Sequence, residues 1–328
     1  MEIVGRQIEF GVATEAARGS AEAAADKWMR KVNANVVERA THALDDTTRG
    51  RLEDGEGRRV VQKHIEGDVE GVLHVDVLGW LLANIYGVVN TSTVTGSIKS
   101  HIFTLRQNIL HQSLTLFAKD GGAQQLTFAN AMINTLEITA AIDDYVRFSA
   151  SFLAAVAADS AATPSYDTEY DFVARDITVK IADTEGGLAG ATATKVKELG
   201  ITWDQGLLRD HVVGSYNPDE IYNARLMIEG TFTLNFADET FKDLYLSNTN
   251  KYMSITLEGE ADLGSGHHPT VTIVLNKVQF MDWNRSGDAN DLVTEPISFQ
   301  AFYNPSDSEQ STVTLKNLTA AYTNTPSS

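Results

Sequence analysis

One order of strands and a helix is written twice along this chain, and that recurrence restricts the fold more than any single motif. The stretch Ile65-Glu66-Gly67-Asp68-Val69-Glu70 alternates apolar with mostly acidic residues. It leads into a segment opened by Asp76, with Val77, Leu78, Leu81, Leu82, Ile85 and Tyr86 at helical spacing and Gly87 as its stop. Farther on, Ile228-Glu229-Gly230-Thr231-Phe232-Thr233 alternates in the same phase and leads into a shorter segment opened by Asp238, with Phe241, Leu244 and Tyr245 inward. The strands lie 228 − 65 = 163 residues apart and the aspartates 238 − 76 = 162, close to half of the 328-residue chain. A strand of one phase follows each helix, at 112–116 and at 253–257. Each half closes on a strand pair, 132–138 with 148–153 and 274–280 with 297–302. This predicts a tandem duplication, residues 1–164 and 165–328, meeting near Pro164 in the small-residue stretch 154–165.

Apolar–polar alternation predicts strands over 36–43, 64–73, 112–119, 134–139, 146–153, 177–181, 228–236, 253–258, 270–278 and 297–302. The fold class is therefore mainly β, with two sandwich or barrel modules, each flanked by an α-helix. Strand phase also predicts which faces are wet. Glu66, Asp68 and Glu70 oppose Ile65 and Val69, and Glu229, Thr231 and Thr233 oppose Ile228, Phe232 and Leu234. Ser113 and Thr115 match Ser254 and Thr256, with Glu258 and Glu260 continuing that polar row.

Composition narrows the functions open to such a fold. Hydrophobic residues make up 43%, enough for a substantial core, and there is no cysteine, which removes disulfides, thiolate metal sites and thiol catalysis. The net charge is −18, against the basic groove that gripping nucleic acid requires. Residues 1–64 hold 11 acidic and 11 basic side chains, so the whole deficit lies beyond them. A neutral, charge-dense arm beside an acidic body suits head-to-tail self-association. Glu2, Arg6 and Glu9 interrupt any signal-peptide pattern, and the apolar stretch 73–89 contains His74, Asp76 and Asn84. A soluble chain folded in a reducing compartment is expected.

No constellation for chemistry emerges. His267-His268 sits among Gly and Pro without a third ligand at metal spacing, and Asp288, Asn290 and Asp291 lack the alternate-position ligands of a calcium loop. Asp143-Asp144 are adjacent and diverge. Gly186, Gly187 and Gly190 belong to a turn rather than to a strand-to-helix phosphate loop, and no nucleophile elbow is present. The expectation is no enzyme, no cofactor and no metal.

The opening GRQIEFGVATEAARGSA with Trp28, the run Gly50-Arg51-Leu52-Glu53-Asp54, and Ile65-Glu66-Gly67 closed by the helix over 78–87 resemble the start of phage tail tube proteins. Gly200-Ile201-Thr202-Trp203 with Gly230-Thr231-Phe232-Thr233-Leu234 resembles that family's second half. These are the major tail proteins of long, non-contractile, siphovirus-type tails. The resemblance implies β-sandwich modules whose sheets line the lumen of a ring, stacked into a hollow tube through which double-stranded DNA passes without specific binding. It implies a virion protein assembled in the host cytoplasm, with itself, a tape measure protein and tail tip and terminator proteins as partners, and no membrane. Two modules per chain favour a homotrimeric pseudo-hexamer over a hexamer.

On that reading Glu66, Asp68, Glu70, Glu229, Glu258 and Glu260 line the lumen. Arg49, Arg51, Arg58, Arg59, Glu53 and Asp54, on the charged loop 43–59, meet the neighbouring ring. Two other classes remain open. A carbohydrate- or receptor-binding β-sandwich of a tail tip would use exposed aromatics, for which Trp28 and Trp283 qualify while Trp80 and Trp203 read as core. A glycosidase on a β scaffold would need two facing carboxylates.

Overall fold

The computed structural model describes residues 4–45, 47, 50, 52, 53, 55 and 57–322. The first half runs β1 (Ile8–Thr14), β2 (Lys27–Met29), β3 (Val32–Leu44), β4 (Arg58–Val72), α1 (Val75–Tyr86), β5 (Gly87–Thr95), β6 (Ile98–Leu105), β7 (Leu114–Asp120), β8 (Gln124–Ala141), β9 (Arg147–Ala154) and β10 (Val156–Asp159). The second runs β11 (Ile177–Ala182), α2 (Glu185–Leu188), β12 (Ala193–Thr194), β13 (Val196–Asp204), β14 (Leu208–Asp210), β15 (Glu220–Tyr222) and β16 (Met227–Asn235). It continues through α3 (Thr240–Ser247), β17 (Lys251–Glu258), β18 (Thr270–Trp283), β19 (Thr294–Ala301) and β20 (Ser311–Asn317). The chain is mainly β, and every ladder is antiparallel.

Two long strands organise the sheets. The last part of β8 and the last part of β18 belong to an eight-stranded sheet ordered β3-β4-β9-β8-β13-β16-β19-β18. Their first parts turn into the opposing sheets, β2-β1-β7-β8-β10 and β12-β11-β17-β18-β20. Seven ladders among β1–β4 and β7–β10 thus have counterparts with the same neighbours among β11–β13 and β16–β20. Additions differ between the halves: the β5–β6 hairpin extends β20, and β14–β15 forms a small ribbon.

The opposing sheets meet across one apolar core, as where Phe10 of β1 packs 6.0 Å from Phe152 of β9. Helix α1 lies within it. Sequence periodicity predicts one apolar face, yet all twelve residues of α1 are buried, because the β5–β6 hairpin, β20 and Tyr322 cover its other side. Gly79 is required there: a Cβ would overlap the Tyr322 ring. The stop is as expected, with Gly87 at φ 76° donating to the Ala83 carbonyl. The start is not. His74 occupies the N-cap, and Asp76 in the first turn faces Lys27 and accepts from Thr319. At α3 the N-cap is Glu239, and Asp238 accepts from the Thr240 amide at 2.9 Å.

Ser113 and Thr115 also depart from expectation. Both are fully buried, because their hydroxyls donate to the carboxylate of Glu15, itself inaccessible to solvent. Burial pushes the Glu15 pKa up, against four hydrogen bonds that favour the anion.

Candidate functional site

The eight-stranded sheet presents one continuous polar face, and strand register shows how it is assembled. One row crosses the whole sheet as Asn33, Glu70, Ser149, Glu137, Thr202, Glu229, Gln300 and Gln279, each opposite the next. A neighbouring row runs Asn35, Asp68, Ser151, Thr135 and Asp204. On the other side lie Arg147, Thr139, Gly200, Thr231, Ser298 and Asp282. The reverse face of the same strands carries Val69, Leu136, Ile138, Ile201, Trp203, Ile228, Phe232 and Phe299, all buried. Period-2 alternation therefore runs through the sheet, interrupted by bulges in the β3–β4, β8–β9, β13–β16 and β18–β19 ladders.

The face is acidic. Glu66, Asp68, Glu70, Glu137, Glu198, Asp204, Glu229 and Asp282 stand on it against Arg39, Arg147 and Arg225, the last paired with Asp204 at 3.2 Å. Arg39 Nε donates to Glu66 at 2.7 Å and holds that carboxyl below its usual pKa, while Arg147 pairs with Asp144 at the sheet margin. Between them lie hydroxyls and amides. A polyanion meets repulsion here and few counterions to release.

Of the six acidic residues predicted to share a face, four do: Glu66, Asp68, Glu70 and Glu229. Glu258 does not join them, because β17 belongs to the opposing sheet and sets Glu258 opposite Thr270. Glu260 lies beyond that strand, 2.5 Å from Arg175. Sequence reading missed Glu137, which β9 sets opposite Ser149, and Glu198 and Asp204, which β13 carries beside the Glu229 strand; the β8–β13 ladder then joins the two groups into one surface.

The hairpin of β3 and β4 projects from one end of this sheet, its outer half exposed. Arg58 and Arg59 open β4 opposite Leu44 and Ala43, exposed as is Glu53, whereas Arg49, Arg51 and Asp54 fall outside the described residues. Lys63 Nζ donates to Glu38 at 3.0 Å, and the Lys63 amide to the Tyr216 carbonyl at 2.7 Å, bracing the hairpin base.

A family model described as phage tail tube protein matches residues 5–301. The chain belongs to that family. It is thus a structural component of a phage virion, of a kind that self-assembles into a tube, and the family is not one of enzymes. No curated protein matches it.

Among the described residues no cluster of three metal-ligating side chains occurs, and no helix is long and apolar enough to cross a membrane. His268 is tied to the Ala261 carbonyl at 3.0 Å. The two tryptophans that qualified for a glycan-binding surface are both engaged. Trp28 is buried against Phe117, and Trp283 is half-buried and donates to Glu295 at 2.9 Å.

Proposed function

We propose that the chain forms stacked rings of a long, non-contractile tail, with the polar face of the eight-stranded sheet turned to the bore through which double-stranded DNA leaves the capsid. The acidic, hydroxyl-rich character of that one face carries the reading: it repels phosphate and lets DNA slide. Residues 1–164 and 165–328 act as two modules, a view supported by the recurrence of seven ladders. Each contributes four strands to the sheet, so three chains would supply 3 × 8 = 24 strands. At ~4.8 Å per strand that gives a circumference of roughly 115 Å and a backbone diameter near 37 Å before tilt widens it. Barrels of about 16–18 strands already leave an aqueous channel. The hairpin with Arg58, Arg59 and Glu53 meets the neighbouring ring, a heterologous, open-ended contact. Assembly takes place in the host cytoplasm around a tape measure protein, between tip and terminator proteins.

Negative-stain electron microscopy of the concentrated protein tests this, followed by image reconstruction of any tubes. Hollow rings of three chains are expected, and six chains per ring would refute the trimer. Replacing Glu137 and Glu229 with Lys should make tubes retain DNA in a salt-dependent way, and unchanged retention would refute the bore assignment.

A further inference from the structure

The two ends of the eight-stranded sheet are each other's missing partner. We infer that residues 282–288, at and beyond the end of β18, pair antiparallel with β3 of the next copy, in the register that the β8–β13 ladder already displays inside one chain. This rests on the ring reading above and deepens it to a residue-level interface.

The register follows from superposing the halves. Gly67 lies opposite Val36 and Phe152, and Gly230 opposite Ile201 and Phe299. Both glycines are forced by the same two neighbours, the phenylalanine ring and a carbonyl of the preceding strand, Asn35 or Gly200. Val36 thus corresponds to Ile201. A bulge falls between Ile133 and Thr135 on β8 and between Phe280 and Asp282 on β18, which aligns Thr135 with Asp282. Beyond Trp283 the chain keeps running along β19, with Ser286 bridged to Thr294 as Thr139 is paired with Arg147.

Inside the chain, Thr135 opposes Asp204, Leu136 opposes Trp203, Ile138 opposes Ile201 and Thr139 opposes Gly200. Carried to the ends of the sheet, these become Asp282 with Arg39, Trp283 with Glu38, Arg285 with Val36 and Ser286 with Asn35 of the next copy. The chemistry of the two edges matches. Asp282 meets Arg39 on the polar face. On the reverse face, Trp283 lies diagonal to Val36 and Arg285 diagonal to Glu38.

Burial points the same way. Leu136, Trp203 and Ile201 are inaccessible to solvent at the internal junction, whereas Val36 and Trp283 at the ends are only half-buried. The Trp283 and Arg285 amides, which would face a neighbouring strand, bond instead to Asp282 Oδ1 at 2.9 Å and Asn284 Oδ1 at 2.8 Å. Such side-chain caps protect an unpaired edge until a strand arrives.

The chain has no cysteine, so engineered disulfides report cleanly. The double variant Ser286→Cys/Asn35→Cys is assembled under reducing conditions, imaged, and then oxidised with copper–phenanthroline. Ser286→Cys/Asn33→Cys and Ser286→Cys/Val37→Cys, two residues out of register and beyond disulfide reach, serve as controls. At least tenfold more reducible cross-linked oligomer is expected from the first pair than from either control. Asp282→Arg should weaken assembly at least tenfold, and adding Arg39→Asp should restore it. Rings that form without cross-linking at 286 and 35, or with preference for a control pair, would overturn the register and leave the tube reading standing. A folded wild-type chain that never oligomerises would overturn both.

Discussion

Replacing Gly67 or Gly230 with alanine should destabilise the chain, while the same change at Gly200 should not. A Cβ on Gly67 would lie 2.5 Å from the Asn35 carbonyl oxygen and 2.6 Å from Phe152 Cζ. At Gly230 the Gly200 carbonyl and Phe299 Cζ, at 2.5 Å, stand in the same places. Ordinary contact begins at 3.4 Å, so the Phe152 ring has to retreat by 3.4 − 2.6 = 0.8 Å. That ring is fully buried against Phe10 and has no free volume to enter. Overpacking of this kind costs about 1–3 kcal/mol, offset by about 0.4–1 kcal/mol from a less flexible unfolded chain, for a net loss of about 1–2 kcal/mol. Gly200 points to the polar face, where only Thr231 Oγ1 is near, at 3.5 Å. Alanine there keeps the favourable part alone, a gain of up to about 1 kcal/mol. Urea unfolding of the unassembled chain reads the difference, with buried Trp28, Trp80 and Trp203 as fluorescent reporters. Full stability in Gly67→Ala and Gly230→Ala, or an equal loss in Gly200→Ala, would refute the packing argument.

Three further outcomes follow from buried polar groups. Each Glu15 oxygen accepts one main-chain amide, from Gly19 or from Asn130, at 2.7 Å, so Glu15→Gln strands one amide whichever way it turns and should cost about 1–3 kcal/mol in urea melts. Burial raises the Glu220 pKa, but Arg18 at 2.6 Å and Asn130 outweigh it, and the carboxyl ends below its usual value. Its contribution is therefore present above the unfolded pKa and lost as pH falls through the folded one; Arg18→Gln should cost about 1–3 kcal/mol at pH 7 and progressively less in acid. Burial holds His74 down to about 4. Asp171 opposes that shift and Glu169 Oε2 lies 3.3 Å from the imidazole; the His74 share of stability is complete above the unfolded pKa and is lost as pH falls through the folded one, and a pH series of melts on His74→Gln should lack that decline.

Much of this protein was readable before any coordinates. Alternation located ten strands, because a half-buried sheet residue must face either core or water and successive residues must differ. The same rule put Glu66, Asp68, Glu70 and Glu229 on the polar side, and Gly87 stopped α1 because only glycine enters the left-handed region cheaply. What alternation cannot specify is the neighbour. It assigned Glu258 a polar side correctly but not a sheet, since β17 and β4 carry the same period and pair with different partners. Nor could it separate a hydroxyl turned to water from one turned to a buried carboxylate, as Ser113 and Thr115 are. The joining of β8 to β13, which makes two four-stranded panels one surface and sets Glu137 opposite Thr202, is a contact between residues about sixty apart in sequence. Local periodicity is dictated by backbone geometry and the need to bury apolar atoms. Pairing across such a distance is decided only when the whole core closes.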